Sequence, residues 1–294
     1  MITRPILAAK VADIHSLRYP LLCSPKIDGI RCLKLEGQVY TRSFKTIPND
    51  HVRESLMTLP DGPDGEIVLP DSTFHETQSA IMSFDGAPTF HYLVFDRIDG
   101  AVETLPYAHR LTMLTNLLLN APEWCKIIPQ RLLSNPTELE IFEQECLASG
   151  YEGVCMRSPE STYKEGRSTL REQKLLKLKR FEDCEAIIID CVELQHNANL
   201  PQINELGLLK RSKEQAGLRP SGVLGALRCR DPKSGTEFNI GTGFTSAERA
   251  LLWETRASLI GSLVTYKHQP YGALEAPRCP VFRGIRYDLT SPIE

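Results

Sequence analysis

The sequence predicts an α+β protein in two parts: antiparallel sheets with flanking helices over residues 1–180, then a small β-barrel over residues 181–294. Three observations lead there. Short apolar strands with turn signals alternate with amphipathic helices through the first part, so both periods occur together. The most charge-biased stretch, Lys164–Arg180, closes that part with seven basic residues against two acidic ones, in a chain of net charge -3. The remainder holds five short strands and one helix, which fits an OB-fold.

Residues 1–20 read as a lead-in with a short helix near Val11–Ser16, and Leu21–Cys23 starts the strand that delivers Lys26. Alternation along that strand puts Lys26 and Asp28 on one face. Cys32–Leu35 and Gln38–Arg42 pair around Glu36-Gly37, a hairpin signal. Pro48-Asn49 opens a helix with Val52, Leu56 and Leu59 on its apolar side. Asp64-Gly65-Glu66 reads as a turn entering the strand Ile67–Leu69, and Thr73–Met82 as a helix. Phe90–Asp96 is a strand rich in aromatic and β-branched residues. Tyr107–Asn120 and Asn135–Ser149 are helices, the second with Pro136 in its first turn and Gly150 as its stop. Glu152 stands at the mouth of another apolar strand. In Leu176-Lys177-Leu178-Lys179 a period of two turns both lysines one way and both leucines to the core.

In the second part, Glu185–Leu194, Val223–Arg230, Thr236–Ile240, Leu263–His268 and Val281–Tyr287 read as strands, and Ser246–Leu259 as a helix capped at Thr245 or Ser246. Asp231-Pro232-Lys233-Ser234-Gly235 is a strong turn signal. The stretch 195–222 is polar, contains Gly and Pro and lacks clear periodicity, so it reads as a long loop or a mobile hairpin.

Composition narrows the function. Hydrophobic content of 41% and charged content of 24% are those of an ordinary globular protein. With a sequence pI near 6.2, nucleic acid would have to meet a local basic surface rather than a globally positive one. The nine cysteines include no C-x-x-C pair, so zinc spacing is absent and buried thiols of a reducing compartment are expected. No signal peptide or membrane-length apolar run is visible, and an intracellular, cytoplasmic or nuclear monomer is expected, with a viral or phage gene as one source.

The chemistry concentrates in Lys26-Ile27-Asp28-Gly29-Ile30-Arg31. A lysine among other cations can lose its proton near neutral pH and act as a nucleophile. Gly29 frees the backbone to turn, and Arg31 offers a planar fork for phosphate or carboxylate. The same six residues also suit a strand end with mixed surface charges. Arg42, Glu66 and Phe95 taken singly read as a solvated arginine, a turn carboxylate and a core aromatic. Lys177 and Lys179 lie side by side on one face, where like charges repel unless a phosphate sits between them.

Together these stretches resemble the covalent nucleotidyltransferases: ATP-dependent DNA ligases, RNA ligases and mRNA capping enzymes. The order of Lys26–Arg31, Arg42, Glu66, Phe95, Glu152-Gly153-Val154-Cys155-Met156-Arg157 and Lys177/Lys179 is closest to the smallest, virus-type DNA ligases, over nearly the whole chain. Arg157 stands where the family more often has lysine. The resemblance implies an ATP-grasp-like adenylyltransferase domain followed by an OB domain. It implies that Lys26 becomes covalently linked to AMP, that Phe95 stacks on adenine and that Glu66 holds the ribose. Arg31, Arg42, Lys177 and Lys179 bind the nucleotide's phosphates, with both lysines lowering the pKa of Lys26. Glu152 serves at the α-phosphate and, with Asp28, at Mg2+; Asp28 also handles the 3′-hydroxyl.

ATP and Mg2+ are the implied cofactors and nicked duplex DNA the implied partner, in replication, repair or recombination. DNA contacts are expected at Arg42, Arg167, Lys210, Arg211, Lys213 and Arg219, the last four on an insertion over 195–222 that clasps the duplex. An RNA ligase or capping guanylyltransferase is the nearest alternative. The guanylyltransferases usually end their OB domain with an R-x-D-K-type motif. Here Arg283-Gly284-Ile285-Arg286-Tyr287-Asp288 is followed by no lysine, which leaves open whether Arg283 or Arg286 serves the first step. A non-catalytic OB-fold binder is disfavoured by Lys26. NAD is disfavoured because no nicotinamide-binding domain precedes Lys26.

Overall fold

A computed structural model describes residues 2–203, 209–212, 214–269 and 276–286. The chain divides into two compact units, Met1–Arg180 and Phe181–Glu294.

The first unit is built on two five-stranded sheets. Sheet one has the order Ala9–Lys10, Leu176–Leu178, Val154–Arg157, Leu21–Pro25, Arg131–Leu133. Sheet two runs Gln38–Thr41, Ile30–Leu35, Pro63–Val68, His91–Arg97, Cys125–Ile127. Most neighbours are antiparallel as expected. Leu176–Leu178 beside Ala9–Lys10, His91–Arg97 beside Cys125–Ile127, and Ile6–Leu7 beside Gly166–Arg167 are parallel, so the unit is mixed. Longer crossovers through helices and loops make those parallel pairs reachable.

Each sheet buries one face under helices. Leu139, Phe142 and Cys146 of the helix Pro136–Ala148 pack on sheet one. Val52 and Leu56 of Asp50–Met57, Ile81 of Phe74–Ile81 and Leu114 of Tyr107–Leu117 pack on sheet two. The helix starts follow the sequence: Asn49, Thr73 and Asn135 each accept from a backbone N–H of the first turn, Thr73 in a full capping box with Glu76. The expected hairpin around Glu36-Gly37 is present, with both residues at positive φ.

Two local readings change. The expected helix near Val11–Ser16 is one 3-10 turn, Ile14–Ser16. Asp64-Gly65-Glu66 is no turn; it lies inside the strand Pro63–Val68, between Ile30–Leu35 and His91–Arg97. The polar residues sit in mid-sheet because Asp64 is neutralised there by Arg31.

In the second unit five strands form one sheet in the order Glu237–Ile240, Leu218–Arg230, Glu182–Asn197, Leu263–Gln269, Arg278–Arg286. Hydrogen bonding leaves it short of the closed barrel expected. One isolated bridge, Thr242 to Val281, links its two edges. The helix Ser246–Glu254 begins at a Thr245–Glu248 capping box and stops at Thr255, before a separate turn Arg256–Leu259. Ala186, Ile188, Leu227, Ile240 and Tyr266 are core members.

Among its described residues the stretch 195–222 is mostly strand, a hairpin ribbon rather than a loop. Glu182–Asn197 and Leu218–Arg230 stay paired out to Asn197 opposite Leu218, and Pro201–Ile203 pairs with Leu209–Arg211 beyond them. Its polar sequence has no two-residue alternation because the ribbon has no buried face there: His196, Arg219 and Leu200 are all exposed. Backbone pairing sustains it, with side-chain bonds from Asn197 and Asn199 to Ser212 O. All nine cysteines are free, five of them buried. Among the described residues no helix is long and apolar enough to cross a membrane.

Candidate active site at the crossing of two sheets

The chain passes between the two five-stranded sheets twice, at Lys26–Gly29 and at Ile128–Gln130. A cleft opens at these crossings. Lys26, Arg31, Arg42, Glu66, Phe95 and Lys177 line it.

Lys26 is not on a strand, as alternation suggested, but just past the end of Leu21–Pro25. The chain must leave sheet one there to start sheet two at Ile30. Two backbone bonds fix the departure: Lys26 N–H donates to Gly153 O at 2.8 Å, and Glu152 N–H donates to Lys26 O at 3.3 Å. Gly153 has φ +146, and a Cβ there would lie 2.2 Å from Leu178 O. That close approach draws Glu152 in beside both lysines. Lys26 Nζ bonds one Glu152 oxygen and Lys179 Nζ the other.

The charges follow. Burial lowers the pKa of the Lys26 ammonium, but neighbouring Cys155 and Glu152 outweigh it and leave it above the ordinary lysine value. The expected depression by Lys177 and Lys179 is thereby overturned, since Lys179 is engaged with Glu152. Burial also opposes ionisation of Glu152, yet Lys26 and Lys179 hold its carboxyl below the usual range. Lys177, pushed down by burial and then by Lys179 and Lys26, faces the cleft itself. Burial raises Glu66 to about 8, against the pull of Arg31 and Lys26.

Under the cleft lies an ion network. Arg31 forks onto Asp64 at 2.5 and 2.7 Å, and its guanidinium carbon is 4.6 Å from the Phe95 ring centroid. Asp96 accepts from Arg110 at 2.8 and 3.1 Å and from Arg157, all three buried. Arg157 also stands 5.6 Å from the Phe95 centroid and 4.5 Å from that of Tyr107, whose hydroxyl donates to Phe95 O. Alternation in His91–Arg97 sends Tyr92, Val94 and Asp96 inward and leaves Phe95 half-buried on the cleft side. Phe95 is therefore not a core residue, as its composition alone allowed.

Asp28 lies in the same crossing but is not part of the cleft lining, and its carboxylate is near enough to Glu66 to raise that group's pKa. Arg167 is exposed and donates to Ala8 O at 2.8 Å at the rim. Arg211 donates to Asn199 O at 2.5 Å, Lys210 stands on the strand Leu209–Arg211, and Arg219 faces His196 across the ribbon. These three belong to the second unit, and Lys213 lies outside the described residues. In that unit Arg286 donates to Glu185 at 2.6 Å and Arg283 to Asp183 at 3.5 Å. Tyr287 and Asp288, which follow them in the sequence, lie outside the described residues. Cleft residues the sequence did not single out are Cys155, Tyr107 and Gln130. Cys155 falls within the Glu152–Arg157 motif, but its register opposite Ser24 needs the sheet.

Among the described residues no cluster of three or more metal-binding side chains occurs. Mg2+ is commonly held by one or two carboxylates together with a substrate's phosphates. Glu152 is the carboxylate beside the lysines that suits such a role.

A lysine at the edge of a cleft, with carboxylates, an aromatic and further lysines around it and followed by an OB domain, defines a nucleotidyltransferase of the covalent class. Comparison with known proteins narrows it. The ATP dependent DNA ligase domain matches residues 5–179, and the DNA ligase OB-like domain matches residues 218–286. The chain belongs to the ATP-dependent DNA ligase family, and its enzyme class is ligase. A DNA ligase of Haemophilus influenzae is 28% identical over 253 residues, spanning 84% of this chain and 79% of that one. The crystal structure of Chlorella virus DNA ligase-adenylate is 35% identical, covers 98% of this chain and 100% of that one, and has a TM-score of 0.58. A Lig E DNA ligase structure is 26% identical over 97% of this chain and all of that one, with a TM-score of 0.72. A DNA ligase of Pyrobaculum neutrophilum is 25% identical, and the match spans 45% of its length.

Proposed function

We propose that this ligase seals nicks in duplex DNA through a Lys26–AMP adduct. The observation that carries the reading is Lys26 itself, at the cleft edge, bonded to the Glu152 carboxylate that also holds Lys179, with Lys177 lining the same cleft. In the first step neutral Lys26 Nζ forms a bond to the α-phosphorus of ATP as the bond to pyrophosphate breaks. Its proton must leave beforehand, and loosening the contact with Glu152 favours that, because the carboxylate is what stabilises the ammonium. Lys177 and Lys179 offset charge on the phosphate oxygens, and Arg42 reaches the phosphates from the rim. Phe95, held by Arg31 and Arg157, offers a face to the base, and Glu66, uncharged near neutral pH, can donate to the ribose. Mg2+ bound with ATP would supply charge neutralisation at the phosphates, and Glu152, with Asp28 from the same crossing, would be the carboxylates to hold it.

AMP then passes to the 5′-phosphate at the nick, and the adjoining 3′-hydroxyl displaces it. These are in-line phosphoryl transfers that depend on positioning and charge. The ribbon and its terminal hairpin, with Lys210, Arg211, Lys213 and Arg219, clasp the duplex, and Arg167 extends the basic surface beside the cleft. The guanylyltransferase alternative gains no support from the family matches, both of which are to DNA ligases.

The test compares sealing of a nicked duplex with ATP, GTP or NAD, for the parent and for Lys26→Ala. The variant should form no AMP adduct yet still seal a nick that is already adenylylated, since only the first two steps use the amine. Normal adduct yield in Lys26→Ala would remove the assignment.

A further inference from the structure

We propose that Gln130 selects the purine of the nucleotide by accepting a hydrogen bond from the exocyclic amine of adenine. The inference rests on the reading of the cleft as the ATP site and adds a specificity determinant to it.

Gln130 stands on the second crossing between the sheets. On one side Ile127 pairs with Val94, and Ile128 N–H donates to Val94 O at 2.8 Å, so the segment runs alongside the strand that carries Phe95. On the other side Arg131 pairs with Cys23 in an antiparallel ladder. One further step along that ladder brings Gln130 level with Ser24, two residues before Lys26. Ser24, Phe95, Gln130 and Lys26 all line the same cleft. Gln130 is thus at the base end, with the aromatic beside it and the nucleophile further along.

The side-chain amide is oriented by its own chemistry. Gln130 Nε2 donates to Ile128 O at 3.3 Å. A backbone carbonyl accepts and never donates, so a flipped amide would set two oxygens against each other. The orientation that satisfies Ile128 leaves Gln130 Oε1 without a hydrogen-bond partner among the described residues. In the cleft that oxygen is an acceptor open to a ligand that brings a donor. Adenine presents an amine at C6. Guanine presents a carbonyl oxygen at the same position, which would oppose Oε1. A site built to pair one substrate group disfavours the analogue that lacks it.

The experiment measures formation of the Lys26–nucleotide adduct with ATP, with purine riboside triphosphate (hydrogen in place of the amine) and with GTP. The parent should prefer ATP over purine riboside triphosphate by up to about tenfold in kcat/KM, the worth of one hydrogen bond. Gln130→Ala should lose that preference through a fall in the ATP value, with the purine riboside value unchanged. Gln130→Met keeps the side-chain length without the acceptor and should behave alike, which covers the case of an unstable Ala variant. Retention of the parent's preference in both variants, or an equal loss with both nucleotides, overturns the proposal. A parent that forms no adduct with any of the three overturns the reading of the cleft, and this inference with it.

Discussion

Lys26 and Glu152 form a largely buried ion pair, and Lys179 occupies the second oxygen of the same carboxylate. Glu152 thereby favours the protonated, unreactive form of Lys26, the proposed nucleophile. Glu152→Gln removes the anion that stabilises the ammonium, so the Lys26 pKa should fall. Competitive amine labelling of the protein without nucleotide, read by peptide mass spectrometry across pH, reports this directly. Half-labelling of Lys26 should move to lower pH in the variant. An unmoved midpoint would show that Glu152 does not govern the lysine's proton.

Lys177 stands on the inner strand Leu176–Leu178 of sheet one and Lys179 just past its end, with distinct duties: Lys177 faces the cleft, and Lys179 binds Glu152. Replacing either by alanine should slow adduct formation by roughly a hundredfold, the cost of one charged donor at a transferring phosphate. Rapid-quench adduct assays measure it. Rates within threefold of the parent for both would make the pair an ordinary solvated face.

Glu66 links pH to stability. Burial raises its folded pKa from 4.5 to about 8. The folded state then holds a proton that the unfolded chain gives up, so stability from this group is full below about 4.5 and is lost as pH rises through about 8. Glu66→Gln cannot ionise. It should match the parent near pH 5 and melt a few degrees higher above pH 8. Melting curves that stay parallel from acid to alkaline pH would mean Glu66 is not protonated in the fold.

The ribbon offers a separable test. Asn197 pairs with Leu218 at its last rung, so replacing residues 199–217 with a short Gly/Ser linker leaves the OB sheet's pairing in place. Adduct formation at Lys26 should persist, while nick binding is lost and its residual salt dependence becomes shallower. Gel shifts at two salt concentrations measure both. Parent-like affinity at both would make the hairpin a tolerated insertion.

Much of this was legible in the chain itself. Period, caps and turn signals located the helices from Asn49, Thr73 and Asn135 and the hairpin at Glu36-Gly37, because those signals act within a few residues. The spaced motifs marked Lys26, Glu66, Phe95, Glu152 and Lys177 as one set, since a chemical role constrains residue type wherever the chain happens to run.

Tertiary structure alone decided the rest, for a physical reason common to every case: the deciding partner is remote in sequence. Glu66 became mid-strand because Asp64, beside it, is neutralised by Arg31 from another strand. The Lys26 pKa rose because Cys155 on the neighbouring strand and Glu152 just ahead of it, both remote in sequence, reach it. Gln130 entered the cleft only because two ladders, to Val94 and to Cys23, pull its crossing inward. The 195–222 ribbon is strand without alternation because its order comes from backbone pairing, which leaves no hydrophobic period to read.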